Sequence, residues 1–108
     1  MHSRPQKIKD EFVKILEQNL QDLVDGKTDD YLDIHQMAAK LFIHPTHLSN
    51  TIKEVTGKAP CDICNEKTIA LAKKLLRNPQ LSIADIATKL TFEPTNFTKY
   101  FKKHTGIT

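Results

Sequence analysis

Apolar residues return every three or four positions along most of this chain, the spacing of helices with one buried side. Between Gln6 and Val24 the residues Ile8, Phe12, Ile15, Leu16, Leu20 and Leu23 share one broad face, and Gly26 is a natural stop. GKTDDY follows as a loop. Further helical stripes run through Ile83, Ile86, Ala87 and Leu90, and through Phe97, Phe101 and His104 with Tyr100 alongside. No strand-like alternation of useful length occurs. The pattern predicts an all-α fold of about seven helices.

The stripes are not independent. Residues 32–57 align with 81–106 without a gap, and ten of the 26 positions are identical. Leu32/Leu81, Ala38/Ala87, Pro45/Pro94, Thr46/Thr95, Lys53/Lys102 and Gly57/Gly106 are among them. Met37/Ile86, Ile43/Phe92, Leu48/Phe97 and Ile52/Phe101 are apolar in both copies. One supersecondary unit occurs twice.

Each copy reads as a short helix, a tight turn and a second helix. Ser82 with Asp85, and Asp33 with Gln36, have the spacing of a capping box. Pro45 and Pro94 suit the first turn of the second helix, where a missing N–H costs little. Gly57 and Gly106 suit a left-handed stop. Between the copies runs PCDICNEKTIALAKKLLRNP, opened by Pro60 and closed by Asn78-Pro79. Ile63, Ala70, Leu71 and Leu75, with Ala72 and Leu76 beside them, form its apolar side. A helix over residues 61–77 is about 25 Å long, enough to hold both copies at a fixed separation. The expected division is an N-terminal arm and first helix over 1–30, a first helix-turn-helix unit over 31–60, a connecting helix over 61–79 and a second unit over 80–108.

Size allows one domain at 108 residues. No apolar run approaches a membrane span, and MHSRPQKIKD lacks the apolar core of a signal peptide. A cytoplasmic, nucleoid-associated location is expected. The net charge of +3 is unevenly spread: residues 1–30 carry −2 and residues 31–108 carry +5. The positive charge belongs to the duplicated segment, which points to an acidic partner such as nucleic acid.

A helix-turn-helix unit presents its second helix to the outside, and that helix fits the B-DNA major groove. On the first such helix Thr46, His47, Ser49 and Asn50 are candidates for base contact. On the second they are Thr95, Thr98 and Lys99. Hydroxyls, amides and a lysine ammonium all match donors or acceptors on base edges. Lys53, Lys102 and Lys103 lie further along and suit phosphates, which position without reading sequence.

These residues resemble the DNA-binding domain of AraC/XylS-type bacterial transcription regulators. LSIADIATKLTFEPTNFTKYFKKHTGIT follows that family's pattern of S-I-x-x-I-A-x-x-L-G-F, then S-x-F-x-x-x-F-K, then G. Pro60, Ala72, Leu75 and Leu76 fall where the family has Pro, Ala and Leu-Leu. The resemblance covers residues 31–108 and implies double-stranded DNA binding by two recognition helices, and transcription activation through RNA polymerase. It also implies a separate sensor or dimerisation domain, so the sequence reads as part of a longer regulator. Thr91 replaces the family's turn glycine, which predicts an altered turn or a strained left-handed residue there. Thr68 stands where many members have Arg.

Two rival readings remain. One is a helical protein-interaction module without DNA binding. The other is a thiol or zinc enzyme built on Cys61 and Cys64, with His44 and His47 completing an H-x2-H-x13-C-x2-C set. The expectation is two reduced thiols partly packed under the connecting helix, with no metal and no cofactor. No Ser/His/acid set, carboxylate pair or Gly-rich phosphate loop stands out, so an enzyme is not expected.

Overall fold

Helix α1 spans Arg4–Val24 and buries Ile8, Phe12, Leu16, Leu20 and Leu23, the face its periodicity predicts. The computed structural model describes residues 4–106, so residues 1–3 of the expected arm and 107–108 of the expected second unit lie outside it. After α1 come α2 (Ile34–Lys40), α3 (Pro45–Thr56), α4 (Pro60–Leu75), α5 (Ile83–Lys89) and α6 (Pro94–Thr105). The described residues thus hold six helices and no strand, against an expectation of about seven helices.

The short helices α2 and α5 are fixed at their starts by side chains. Asp33 accepts from the Gln36 amide at 2.8 Å while Gln36 Oε1 accepts from the Asp33 amide at 2.9 Å. Ser82 and Asp85 repeat the exchange at 3.1 and 3.0 Å. Each pair satisfies two donors that a helix start otherwise leaves open. Both helices end in a tight turn whose first residue is left-handed. That residue is Phe42 in the first copy (φ 58) and Thr91 in the second (φ 66), so the strain expected at Thr91 is present and is duplicated.

A single core runs through the molecule. Met37, Ala38, Leu48 and Ile52 close the first unit against α1. Ile86, Ala87, Leu90, Phe97 and Phe101 close the second. Aromatic rings stiffen the second unit: Phe92 lies 5.1 Å from both Phe97 and Tyr100, centroid to centroid.

Helix α4 packs against α1, α3 and α6. It is also tied to each unit by a tyrosine hydroxyl. Tyr31, just ahead of α2, hydrogen-bonds Thr68 Oγ1 at 2.7 Å. Tyr100, on α6, donates to Asn65 Oδ1 at 2.8 Å. Because α4 has neighbours on three sides, its buried positions are not one stripe. Ala70, expected on the apolar side, is exposed, whereas Thr68 and Ile69 are buried. Thr68 satisfies its hydroxyl inside this core by donating to the Cys64 carbonyl at 2.8 Å.

Two further departures have local causes. His104 is exposed rather than packed in the Phe97/Phe101 face, because it lies at the helix end, in the last turn of α6, with its ring 4.6 Å from that of Tyr100. Asn19, unremarked in the sequence, is buried on α1. Its amide donates to the Asp30 carbonyl at 2.8 Å and accepts from the Leu32 amide at 2.9 Å. It thereby clamps the polar loop that leads into α2.

Candidate nucleic-acid interface

Helices α3 and α6 are equivalent in the repeat and begin and end alike. Each has Pro in its first turn and a left-handed glycine at its end, Gly57 (φ 75) and Gly106 (φ 72). Their caps differ. The His44 ring accepts from the Thr46 amide through Nδ1 at 3.1 Å. Glu93 accepts from the Asn96 amide at 2.9 Å, and this bond holds its carboxyl below the ordinary carboxylate range, helped by the Thr95 amide. The acceptor is a ring nitrogen at the first helix start and a carboxylate at the second.

One side of each helix is buried: Leu48, Thr51 and Ile52 on α3, Phe97 and Phe101 on α6. The other side is open. On α3, Thr46, His47 and Asn50 are exposed, Ser49 is half-buried, and Lys53 is exposed one turn further. On α6, Thr95, Thr98, Lys99, Lys102 and Lys103 are all exposed. The expected base-reading and phosphate-contacting residues therefore fall on two outward stripes, one per unit. Thr98 also donates back to the Pro94 carbonyl at 3.0 Å, so its hydroxyl proton is engaged within the helix. Asn96 is exposed at the position equivalent to His47 and was missed. The alignment of the copies was the signal that could have found it.

The last turn of α6 carries Lys102, Lys103 and His104, whereas that of α3 carries Lys53 alone. Cations at a helix C-terminus also complement the helix dipole. Among the described residues no group of three or more His, Cys, Asp or Glu side chains is placed to hold a metal ion, so His44, His47, Cys61 and Cys64 are not brought together as a zinc set. No described helix is long and apolar enough to cross a membrane.

A family model described as a helix-turn-helix domain matches residues 37–108, two thirds of the chain, including all of α3 and α6 up to the last residue described. The chain belongs to the AraC-type helix-turn-helix family. That family is one of DNA-binding transcription regulators, not a class of enzymes. Among curated proteins, the chain is 27% identical over 96 residues to an uncharacterized HTH-type transcriptional regulator, YtdP, of Bacillus subtilis (strain 168). The match covers 88% of this chain and 12% of that protein, so the chain spans about an eighth of its relative's length. Among solved structures, it resembles the C-terminal domain of AraT, a response regulator from Geobacillus stearothermophilus, with a TM-score of 0.82 at 23% identity. That likeness covers 98% of this chain and 83% of the other. A DNA-binding transcriptional dual regulator from Escherichia coli K-12 aligns with a TM-score of 0.66 at 16% identity, over 86% of this chain and 84% of the other. These two likenesses concern the fold.

Proposed function

We propose that this AraC-type domain binds specific double-stranded DNA by lodging α3 and α6 in adjacent major-groove segments on one side of the duplex. The observation that carries the reading is the duplicated outward stripe, with hydroxyls at Thr46/Thr95 and Ser49/Thr98 and a lysine at Lys53/Lys102 on two helices braced by one. Thr46, His47, Ser49 and Asn50 read bases in one segment; Thr95, Thr98 and Lys99 read the other. Lys53, Lys102 and Lys103 contact phosphates. The molecule is 43 Å in its longest dimension, which leaves room for two helix axes one duplex turn apart, about 34 Å. Within a longer regulator, a sensor or dimerisation domain controls this one, and contact with RNA polymerase leads to activation.

Selection of bound sequences from a random duplex pool tests this directly. Two blocks of preferred bases should emerge, centred about 10–10.5 base pairs apart. A single block would remove one helix from reading. A pool with no enrichment, bound no better at low salt than at high, would leave a protein-interaction module instead.

A further inference from the structure

The two cysteines lie at the start of α4, where both helix-turn-helix units meet. Cys61 is exposed and Cys64 is half-buried. They line a cleft of about 480 Å³. Ile34 and Met37 of α2 line it, as do Phe92 of the second turn and Tyr100 of α6. Residues of both halves of the molecule therefore meet at this cleft.

We propose that Cys61 and Cys64 are a modification site, forming a reversible disulfide that resets the fit between the two units. Three observations support it. First, the pair stands three residues apart on a helix, so both side chains leave the same face. Ordinary helical spacing puts such Cβ atoms about 5–6 Å apart, whereas a disulfide needs about 3.5–4.5 Å. Closing that gap requires the first turn of α4 to shift, so the bond and the movement go together. The Asp62 amide bonds the Ala59 carbonyl at 3.0 Å, while the next amide, of Ile63, reaches the same carbonyl only at 3.4 Å. The second of these bonds is longer than an ordinary N–H···O contact, so the turn is loosely held at its entry.

Second, the two thiols are unequal in the way thiol exchange uses. Cys61 is open to attack an oxidant. Cys64 is shielded, and burial, with the nearby Cys61, pushes its thiol up to about 11. A thiol that resists ionisation favours the disulfide over the thiolate, so the bond, once made, is not strongly oxidising.

Third, Cys64 is coupled to both units. Its carbonyl accepts from Thr68, whose hydroxyl meets Tyr31. Its neighbour Asn65 holds Tyr100. Tightening this turn moves both tyrosine anchors at once.

The chemistry balances with a low-molecular-weight disulfide of the glutathione type as oxidant. Cys61 as thiolate attacks one sulfur of that disulfide, and one thiolate leaves. Cys64 then loses its proton and attacks Cys61 Sγ, the Cys61–Cys64 bond forms, and the second thiolate leaves. Two protein thiols are oxidised, one external disulfide is reduced to two thiols, and the two protons pass to them.

The test uses the whole chain incubated with oxidised glutathione and then alkylated. The expected product is a monomer with no alkylatable thiol and no bound glutathione, restored by dithiothreitol. The chain has no Trp and two Tyr, both lining this cleft, so tyrosine emission reports on it alone. Emission should change on oxidation in the wild type, and not in Cys61→Ser or Cys64→Ser treated alike. The consequence for DNA rests on the proposed function: oxidised protein should bind its selected duplex at least fivefold more weakly, with the Ser variants unaffected. Glutathione retained on Cys61, or a disulfide-linked dimer, would overturn the proposal. So would an intramolecular bond that leaves tyrosine emission unchanged. If emission changes but neither redox form binds duplex, the DNA reading fails and the switch stands.

Discussion

Phe42 carries a prediction that runs against the usual cost of removing an aromatic residue. It is 94% exposed, so truncating it forfeits almost no burial; at about 25 cal/mol per Å² the loss is roughly 0.3 kcal/mol. Its backbone, however, sits at φ 58. For a residue with a side chain the left-handed region costs roughly 1–2 kcal/mol. Glycine removes that cost but adds about 0.5–1 kcal/mol of chain entropy to the unfolded state. The balance for Phe42→Gly is a net gain of about 0.5 kcal/mol, or roughly 2–4 °C in Tm for a domain of this size. Phe42→Ala keeps the strain and should leave Tm within about 1 °C, because it loses only the exposed ring. Thermal unfolding followed by far-ultraviolet circular dichroism measures both. A Phe42→Ala variant that melts several degrees lower, or a Phe42→Gly variant no more stable than wild type, would refute the reasoning. Thr91→Gly, at φ 66 in the second turn, should also raise Tm.

Other outcomes follow from the same packing and charges. Phe97→Ala empties the centre of the second unit and should cost about 3–5 kcal/mol, measured by urea unfolding. Asn19→Ala leaves the Asp30 carbonyl and Leu32 amide without their partner and should cost about 1–3 kcal/mol, with faster hydrogen exchange at Leu32. Lys99→Ala should change preference at one base position, whereas Lys102→Ala should weaken all duplexes alike and reduce the salt slope by about 0.9; equal loss on every duplex for both variants removes Lys99 from base reading. The carboxyls of Asp85 and Glu93 are both held low by helix-start amides, Ser82 and Asn96 respectively. Their stabilisation is complete above the ordinary carboxylate range near 3.8–4.5 and disappears as pH falls through their lowered values. Acid titration of Tm in the Glu93→Gln variant should therefore show a shallower fall than in wild type.

The local grammar of the chain was legible because duplication printed it twice. Capping boxes at Asp33 and Ser82, prolines at 45 and 94 and glycines at 57 and 106 all announce helix ends through local chemistry. The outward stripes on α3 and α6 were legible for the same reason, since a helix with one apolar side has only one other side to expose. What escaped depends on neighbours distant in sequence. Asn19 reads as a polar surface residue until the loop eleven and thirteen residues on folds back over it. Thr68 reads as a weak helix former until Tyr31 arrives from 37 positions away. Ala70 looked apolar enough to bury, but three-sided packing turned it outward. The caps His44 and Glu93 escaped because neither residue type is a favoured cap.

The two units are unequally braced. The first unit is gripped between α1 and α4, whereas the second leans chiefly on α4 and on its own cluster of rings. If both units read one duplex as proposed above, then on slightly misphased half-sites the gripped half would keep its seat and the leaning half would be the one to adjust. Tolerance to spacing would then be written into one end of the binding site, and fidelity into the other.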